Sequence, residues 1–317
     1  MIRKGDVCMK KMLITGGTVF VSRYAAQYYA DKYDVYVLNR NHYPQCKGVT
    51  LIESDRHCLG ECLKNIHFDV VLDITAYDAE DVLDLVHGLD SFGEYILISS
   101  SAVYPETERQ PFAETGNLGP NRFWGDYGTN KIDAEKVLHE YVPNAYILRP
   151  PYLYGPMNNI YREAFVFDCA LQNRCFCLPG EGQMKLQFLY VGDLFRFIDI
   201  ILEKSPHNRI FNVGNDQLIS VKDWVRLCYK TAEKELSMCH VEKEINQRLY
   251  FPFYDYEYCL DIEQQKQWMP ILTPMEEGLQ EAFAWYQKNE SSVIKKPLLA
   301  YIDENLKTHT NDERPAL

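Results

Sequence analysis

A tyrosine and a lysine four residues apart offer proton-transfer chemistry. Tyr127 and Lys131 stand in the run Tyr-Gly-Thr-Asn-Lys, and residues four apart lie on one face of a helix. The ammonium of Lys131 favours the phenolate, so we expect the pKa of Tyr127 to fall toward neutrality. Such a phenol can take or return the proton of a substrate hydroxyl while a nicotinamide takes or gives a hydride. A surface pair without function is the alternative interpretation.

Two further runs of residues fit the same chemistry. The chain carries Thr15-Gly16-Gly17-Thr18 near its start and Ser99-Ser100-Ser101-Ala102-Val103-Tyr104 further on. A glycine turn between a strand and a helix lets backbone amides face a pyrophosphate. A serine at the end of a parallel strand lies in the crevice where ligands bind, where its hydroxyl can orient a substrate oxygen. A tight turn and a serine-rich strand end are the plainer interpretations.

The elements that position these residues alternate between strand and helix. Nearly continuous apolar strands separated by helices predict a parallel sheet covered on both faces. The predicted strands cover 11–15, 35–38, 49–52, 69–75, 95–99 and 146–148, and the predicted helices cover 18–30, 59–65, 79–89 and 132–141.

The pattern changes after Arg149. Pro150-Pro151 and Gly155-Pro156 interrupt the alternation. We therefore predict a nucleotide-binding domain over 1–150, a smaller substrate lobe over 151–307 that returns elements to the main sheet, and a frayed tail over 308–317. The lobe's predicted helices cover 161–172, 192–202, 221–234 and 274–287, and its strands cover 186–191 and 210–213.

Composition narrows the classes of function. The formal net charge of −12 disfavours a nucleic-acid partner. No apolar run is long enough for a membrane helix, and the basic start followed by a short apolar run is typical of a first strand, so we expect a cytoplasmic protein with no membrane partner. The pairs Cys58/Cys62 and Cys175/Cys177 lack zinc-site spacing, and although His57 precedes Cys58, we predict no metal.

In their order and placement, these motifs resemble the extended short-chain dehydrogenase/reductase superfamily, and in particular its NAD-dependent epimerase/dehydratase group and atypical members. The resemblance covers roughly residues 11–290 and includes the runs 148–156 (LRPPYLYGP) and 188–194 (FLYVGDL). It implies a Rossmann-type doubly wound sheet with a smaller C-terminal substrate lobe. It also implies Tyr127 as acid/base, Lys131 as its partner and ribose ligand, and Ser100 as the hydroxyl-orienting residue, because the family serine lies four residues before the tyrosine that matches Tyr104. The implied cofactor contacts are Gly16, Gly17, Thr18, Phe20, Ser22, Arg23, Asn39, Arg40, Asp55, Ala76, Tyr127, Lys131 and Pro150, and the implied substrate contacts are Ser101, Tyr152 and Gln187.

The sequence departs from the family pattern at the cofactor. Val19 and Ser22 replace the second and third glycines of the turn, and the Val19 side chain hinders close approach of a pyrophosphate. Phe20 and Arg23 are similar to the form found in atypical members. Where NAD-preferring relatives end the second strand on an acidic residue, this chain has Asn39-Arg40. The expected cofactor is NAD(P)(H). Because Arg40, with Arg23, could hold a 2′-phosphate, we favour NADP(H) over NAD(H).

Three departures concern the reaction and the substrate. Family dehydratases place an Asp-Glu pair directly after the catalytic hydroxyl residue, and this chain has Ser101-Ala102 there, so we predict that dehydration is unlikely. Tyr152 replaces an asparagine and Leu186 replaces an arginine that anchor nucleotide sugars in many members. The aromatic run 251–256 could stack on a base or sugar, although core packing is favoured.

Two hypotheses about function remain. The first is an NAD(P)-dependent epimerase or carbonyl reductase acting on a sugar nucleotide or a related polyhydroxyl compound. The second is a non-catalytic protein that binds cofactor or RNA, as some atypical members do. A hydrolase that uses Ser100 is disfavoured because no GxSxG surrounds it. By fold analogy we predict a homodimer through helices near 79–89 and 127–141.

Overall fold

Strands and helices alternate through the first half of the chain. The computed structural model describes residues 9–242 and 244–306. The first elements are β1 (Lys11–Thr15), α1 (Phe20–Tyr29), β2 (Asp34–Asn39), β3 (Val49–Glu53), β4 (His67–Asp73), α2 (Ala79–Gly88), β5 (Ser91–Ile98), α3 (Asp126–Tyr141) and β6 (Tyr146–Arg149).

Shorter strands and further helices make up the second half. They are β7 (Tyr152–Tyr154), α4 (Glu163–Leu171), β8 (Phe176–Pro179), β9 (Lys185–Leu186), β10 (Phe188–Tyr190), α5 (Val191–Lys204), β11 (Ile210–Asn212), β12 (Ile219–Ser220), α6 (Val221–Thr231), β13 (Met238–Val241), α7 (Glu263–Trp268), α8 (Met275–Asn289) and α9 (Leu298–Asn305).

Seven strands form one parallel sheet. Their order is β11-β6-β5-β4-β1-β2-β3, and the pairs within it are parallel. The order reverses at β1, which lies between β2 and β4, and ligands of such sheets bind at this switch point, outside the carboxyl ends of the strands. The α/β, Rossmann-type fold predicted from the sequence is confirmed.

The two faces of the sheet pack into two separate apolar cores. In β1, Met12 and Ile14 belong to one core and Leu13 belongs to the other. Successive side chains of a strand point to opposite faces, so a strand buried on both faces is apolar at every position. For this reason the central strands have continuous apolar sequences instead of alternating apolar and polar residues.

The region after Arg149 adds three small sheets and one strand of the large sheet. The small sheets pair β10 with β7, β12 with β9, and β13 with β8. Strand β11 joins the edge of the large sheet beside β6, in the register Ile210↔Ile147 and Asn212↔Arg149. The chain therefore leaves the large sheet after Arg149 and comes back to it at Ile210, 61 residues later.

Three predicted elements differ from the structure. The helix predicted over 59–65 is a series of turns, because Gly60 and Asn65 take positive φ angles of 51° and 60°, which end right-handed helical geometry. The strand predicted over 186–191 is interrupted at Gln187, so that β9 and β10 pair with different partners. Helix α1 begins at Phe20 instead of Thr18.

Two predictions concern the C-terminal tail and membrane helices. The tail predicted over 308–317 lies outside the described residues. Within residues 9–242 and 244–306, no helix has the length and apolar character needed to cross a lipid bilayer.

Candidate active site

A cavity of about 590 Å³ opens at the carboxyl ends of the central strands. It lies between the start of α1, the loop after β5, the start of α3 and the loop after β6. Eight of the site residues predicted from the sequence line it, namely Phe20, Ser22, Ser100, Ser101, Tyr127, Lys131, Pro150 and Tyr152.

The loop after β5 presents Ser100 to this cavity. Ser100 has extended backbone geometry, and its hydroxyl oxygen accepts a hydrogen bond from the backbone N–H of Ala102 at 3.1 Å. This bond begins a single helical turn over Ser101–Val103. The hydroxyl proton of Ser100 is therefore available to a second acceptor in the cavity.

Helix α3 presents Tyr127 and Lys131 on one face. The Tyr127 side chain is 41% exposed, and that surface lines the cavity. The Lys131 side chain is buried, and its ammonium donates hydrogen bonds to the carbonyl oxygens of Ala76 at 2.5 Å and Ile98 at 3.0 Å. Those carbonyls follow β4 and end β5, so the ammonium holds two strand ends and α3 together.

The electrostatics of this pair differ from the sequence-based prediction. Loss of hydration in the cavity raises the pKa of Tyr127, and the neighbouring Ser100 hydroxyl opposes that shift only in part. The Lys131 ammonium lies 6.0 Å from the centre of the Tyr127 ring and points at backbone carbonyls. Burial lowers the pKa of Lys131 to about 8, against the opposing charges of Asp73 and Glu135. The expected fall in the pKa of Tyr127 is therefore wrong for this arrangement.

Behind Ser100, a buried network fixes the loop. The Ser99 hydroxyl donates to Glu135 at 2.5 Å, and Glu135 forms an ion pair with Arg149 at 2.6 Å. Arg149 also donates to the Tyr104 hydroxyl at 2.8 Å. Because each polar group in this network has a partner, it joins β5, α3 and β6 without leaving an uncompensated charge.

The glycine turn is held against β2. Gly16 and Gly17 both have φ angles of 89°, and a Cβ atom on Gly17 would lie 2.6 Å from a Val37 methyl group. Asn39 donates from its amide to the Gly16 carbonyl at 2.6 Å. Helix α1 begins without a side-chain cap at Val19, so its first backbone N–H groups stay available to an anion.

A second cavity of about 340 Å³ continues from this turn along β2 and β3. Gly16, Asn39, Arg40 and Asp55 line it, and it shares Thr75 and Tyr77 with the first cavity. Arg40 is largely exposed and lies 3.7 Å from Asp55. The two cavities together give an elongated groove across the switch point of the sheet.

Arg56 was missed by the sequence analysis. It lines the second cavity and forms an ion pair with Asp73 at 3.0 Å. Its Nε and Nη1 atoms are buried without a hydrogen-bond partner in the described structure. Nothing in the local sequence marks this residue, because Asp73 and Asp81 reach it from other strands and helices.

Other predicted cofactor residues lie elsewhere. Thr18 and Arg23 line a cavity of about 470 Å³ on the far side of Val19 and Phe20. Gly17 packs on Val37. Ala76 is buried and reaches the site only through the carbonyl that binds Lys131. Gly17 and Ala76 line none of these three cavities.

The three predicted substrate residues divide between cavity and core. Ser101 lines the cavity, and its hydroxyl donates to Tyr258 at 3.0 Å. Tyr152 also lines the cavity, and it is 6% exposed with a hydroxyl that has no partner. Gln187 is 1% exposed, and its amide binds the backbone of Leu260 at 2.8 Å and of Asn215 at 2.9 Å. Gln187 is therefore a core residue, and its predicted contact with substrate is wrong for this geometry.

A group of cations beside the cavity was also missed. Arg162 lines the cavity, with its guanidinium 4.8 Å above the Tyr152 ring. Burial and the charges of Arg248 and Arg162 lower the pKa of Lys296, so the three cations are neighbours. In the part of the chain that the structure describes, no carboxylate lies within 4.0 Å of any of them. We call Arg162, Arg248 and Lys296 the cation group.

The aromatic run 251–256 divides between the core and the cavity, and its stacking on a base or sugar stays a prediction. Phe251, Phe253 and Tyr256 are buried, which confirms core packing for those residues. Tyr254 instead lines the active-site cavity, and Arg248 lies 4.6 Å above its ring.

Among the described residues, one group has spacing that would suit a metal. His57, Glu80 and Asp84 are mostly exposed, and His57 already binds Asp84 at 2.7 Å. Exposed acidic groups commonly have this arrangement, so the absence of a metal stays a prediction.

Known proteins resemble this chain in sequence and in fold. The chloroplast stem-loop binding protein of 41 kDa b from Arabidopsis thaliana is 26% identical over 303 residues, covering 86% of this chain and 78% of its own. The NAD complex of dTDP-glucose 4,6-dehydratase from Bacillus anthracis has a TM-score of 0.73 at 19% identity, covering 91% of this chain and 99% of its own. UDP-glucose 4-epimerase from Thermotoga maritima, solved with UDP-glucose, has a TM-score of 0.70 at 18% identity, covering 88% and 99%.

A doubly wound sheet with a glycine turn at its switch point is typical of nucleotide-binding α/β proteins, and Ser100, Tyr127 and Lys131 line one cavity beside that turn. The sequence model of the NAD dependent epimerase/dehydratase family matches residues 12–214. The chain belongs to that family. Since dehydratases stand among its relatives, the expectation that excludes dehydration is not supported by these comparisons.

Proposed function

We propose that the protein is an NAD(P)-dependent epimerase or carbonyl reductase that acts on a sugar nucleotide or a related polyhydroxyl compound. One observation carries this proposal: Ser100, Tyr127 and Lys131 lie around a single cavity whose opposite wall is the start of α1. A substrate carbon placed there would lie near a proton donor and near residues 19–22, which follow the glycine turn.

Tyr127 serves as the acid/base in this proposal. Because its pKa is raised, the phenol is protonated at neutral pH and is ready to donate a proton to a substrate carbonyl oxygen. Ser100 orients that oxygen through its hydroxyl, which lies beside the phenol of Tyr127. Lys131 fixes the start of α3 against two strand ends, which holds the phenol at the cavity wall.

The residues present fit a dinucleotide. The groove formed by the two cavities passes the turn where Gly16 and Gly17 have the positive φ angles that suit close backbone approach. Gly16 and the start of α1 would hold the pyrophosphate, Asp55 the adenosine, and Arg40 a 2′-phosphate, which is the reason to favour NADP(H). When bound, the nicotinamide supplies hydride transfer.

The cation group supports a substrate that carries an anion. Arg162 contributes a positive charge at the cavity, and Tyr152 contributes a buried hydroxyl without a partner. In a chain of net charge −12, three neighbouring cations without carboxylates form a local exception. The diphosphate of a sugar nucleotide would satisfy both features.

The test has two parts. Mass spectrometry of the nucleotide released from the purified protein identifies the cofactor. The holoprotein is then assayed on a panel of sugar nucleotides for epimerised, reduced and dehydrated products, alongside Tyr127→Phe. We expect Tyr127→Phe to lose roughly 10²- to 10⁴-fold in kcat. Full turnover by Tyr127→Phe would overturn the role of this phenol, and loss of water from the substrate would overturn the expectation against dehydration.

A second candidate is a nucleic-acid-binding protein. The stem-loop binding relative favours it, as does Val19 at the turn where close approach of a pyrophosphate matters. The net charge of −12 opposes it and is the reason we predict no nucleic-acid partner. Binding of an RNA hairpin that weakens steeply with salt, together with no turnover on the whole panel, would favour this candidate over the enzyme.

A further inference from the structure

Two cysteines far apart in sequence lie side by side in the substrate lobe. Strands β8 and β13 pair in parallel, and their register sets Cys177 opposite Cys239. The two sulfur atoms are 3.5 Å apart, although the residues are separated by 62 positions in the chain. The nine cysteines that the structure describes are all free thiols.

The backbone already suits a covalent link. Neighbouring strands lie roughly 4.7–4.9 Å apart, within the roughly 4.4–6.8 Å that a disulfide needs between Cα atoms. Only the sulfur atoms must approach, to about 2.05 Å. Rotation of two side chains achieves this while the strand pairing stays in place.

The two thiols differ in access. Cys239 is half-buried, and Cys177 is buried beneath it. The hydrogen bond between the two thiols lowers the pKa of Cys177 despite its burial and raises the pKa of Cys239, so Cys177 is the thiolate of the pair. A third thiol, Cys175, is half-buried and lies 3.6 Å from the Ser237 hydroxyl.

We propose that Cys177 and Cys239 form a reversible disulfide site that reacts with low-molecular-weight disulfides such as oxidised glutathione. Through their hydrogen bond the Cys177 thiolate takes the proton of Cys239, whose more accessible sulfur attacks one sulfur of glutathione disulfide, forms a mixed disulfide and releases one glutathione thiolate. Cys177 then loses this proton to solvent, and its thiolate attacks the Cys239 sulfur and releases the second glutathione as its thiolate. Two protein thiols are oxidised and one glutathione disulfide is reduced to two thiols.

The position of the pair gives this modification a local consequence. The chain after β8 and the chain after β13 form two walls of a cavity of about 560 Å³, which includes Gly180, Gly182 and Asn246. This cavity shares Phe123 and Tyr254 with the active-site cavity. A disulfide would fix the spacing of these walls where the strands enter them.

Peptide mapping of the full-length protein tests the site without any variant. The protein is incubated with oxidised glutathione, blocked with iodoacetamide and digested with trypsin. We expect a linked pair of the peptides 175–185 and 235–243, which disappears after treatment with dithiothreitol. Glutathione left on separate cysteines, or two unreacted thiols, would overturn the proposal.

Because peptide 175–185 contains two cysteines, variants identify the partner of Cys239. The link should survive in Cys175→Ser and vanish in Cys177→Ser, with Cys62→Ser as a distant control that keeps it. The reverse result, in which Cys175 carries the link, would overturn the assignment. If Cys177→Ser fails to fold, fragmentation of the linked peptide from wild-type protein decides between the two positions.

Thermal unfolding provides a second readout. A link across 62 positions restricts the unfolded chain, so the oxidised wild-type protein should melt roughly 5–10 °C above the reduced one. The oxidised and reduced forms of Cys239→Ser should melt together. An equal shift in that variant would show that oxidation acts elsewhere.

Discussion

Arg162 and Tyr152 lie together at the cavity, with a half-buried guanidinium above a buried phenol. The guanidinium has no carboxylate within salt-bridge distance in the described residues, and the phenol hydroxyl is buried without a hydrogen-bond partner. Buried polar groups are nearly always paired in native structures, so an unpaired group beside a cavity indicates a ligand. The pair therefore marks where an anionic part of the substrate would lie.

Loss of this charge should affect binding more than chemistry. For the substrate found in the panel, we expect Arg162→Gln to raise KM roughly 10- to 100-fold, because a charged hydrogen bond is worth about 1.5–3 kcal/mol, and to leave kcat within about threefold. Steady-state kinetics measures both constants.

Arg122→Gln is the matched control. Arg122 also stacks on an aromatic ring, 4.8 Å from Phe123, but it is exposed and does not line the cavity. Its KM should stay unchanged. An equal effect in both variants, or a fall in kcat alone for Arg162→Gln, would contradict an anion contact at Arg162.

At the scale of the element, α3 depends on how closely its first turn approaches the loop after β5. A Cβ atom on Gly128 would lie 2.4 Å from the carbonyl oxygen of Ala102. That oxygen belongs to backbone and cannot move aside like a side chain. The glycine next to Tyr127 therefore sets the distance between the helix and the Ser100 loop.

Gly128→Ala should destabilise the protein and reduce activity together. We expect the free energy of unfolding to fall by about 1–3 kcal/mol, as for other overpacked sites, and kcat to fall because the phenol shifts away from Ser100. Urea unfolding and the turnover assay measure these effects. Thr129→Ala, at the neighbouring surface position, should change stability by less than about 0.5 kcal/mol. Normal stability and activity in Gly128→Ala would show that this contact is unimportant.

Sequence patterns predicted an element well where its apolar residues followed a single spacing. β1 covers Lys11–Thr15 as predicted, because burial on both faces makes its central residues, Met12, Leu13 and Ile14, a continuous apolar run. The segment 59–65 has helical apolar spacing, but positive φ angles at Gly60 and Asn65 override it. Strand β13 was missed because its residues, Met238–Val241, pair only with the equally short β8.

In the candidate site, too, sequence patterns found some residues and missed others. The Ser100, Tyr127 and Lys131 motifs are local in sequence, so a motif search can find them. Arg162, Arg248 and Lys296 come from three separate segments, and only the fold brings them together. Gln187 follows the family motif but packs into the core, because its amide completes the hydrogen bonds of a distant loop.

At the scale of the whole molecule, Lys131 links the site to stability. Burial lowers its pKa from the ordinary value of 10.5 to about 8. Between these two values the unfolded chain binds more protons than the folded one, so the contribution of this group to stability rises as pH rises. The cost of burying the ammonium is present in full below about pH 8 and is relieved toward pH 10.5.

Comparison with Lys131→Met isolates this contribution. We expect the free energy of unfolding of wild type to rise relative to Lys131→Met by roughly 2 kcal/mol between about pH 7.5 and 9.5, while wild-type activity falls as the ammonium loses its proton. Urea titrations of both proteins across this range give the difference. A difference that is flat with pH would contradict a lowered pKa at Lys131.

The return of the chain to the large sheet bears on how this protein can be recombined with others. Strand β11 covers the edge of β6, and Asn212 at its end binds the hydroxyl of Tyr104 at 2.8 Å and the carbonyl of Phe112 at 2.8 Å. A chimera joined at residue 150 would inherit its outermost strand, and the brace under its serine loop, from the donor of the second half. A single crossover at that junction between homologues therefore exchanges part of the nucleotide-binding scaffold together with the substrate lobe. Grafts confined to the segments between β7 and α5 leave β11 and its Asn212 contacts in place.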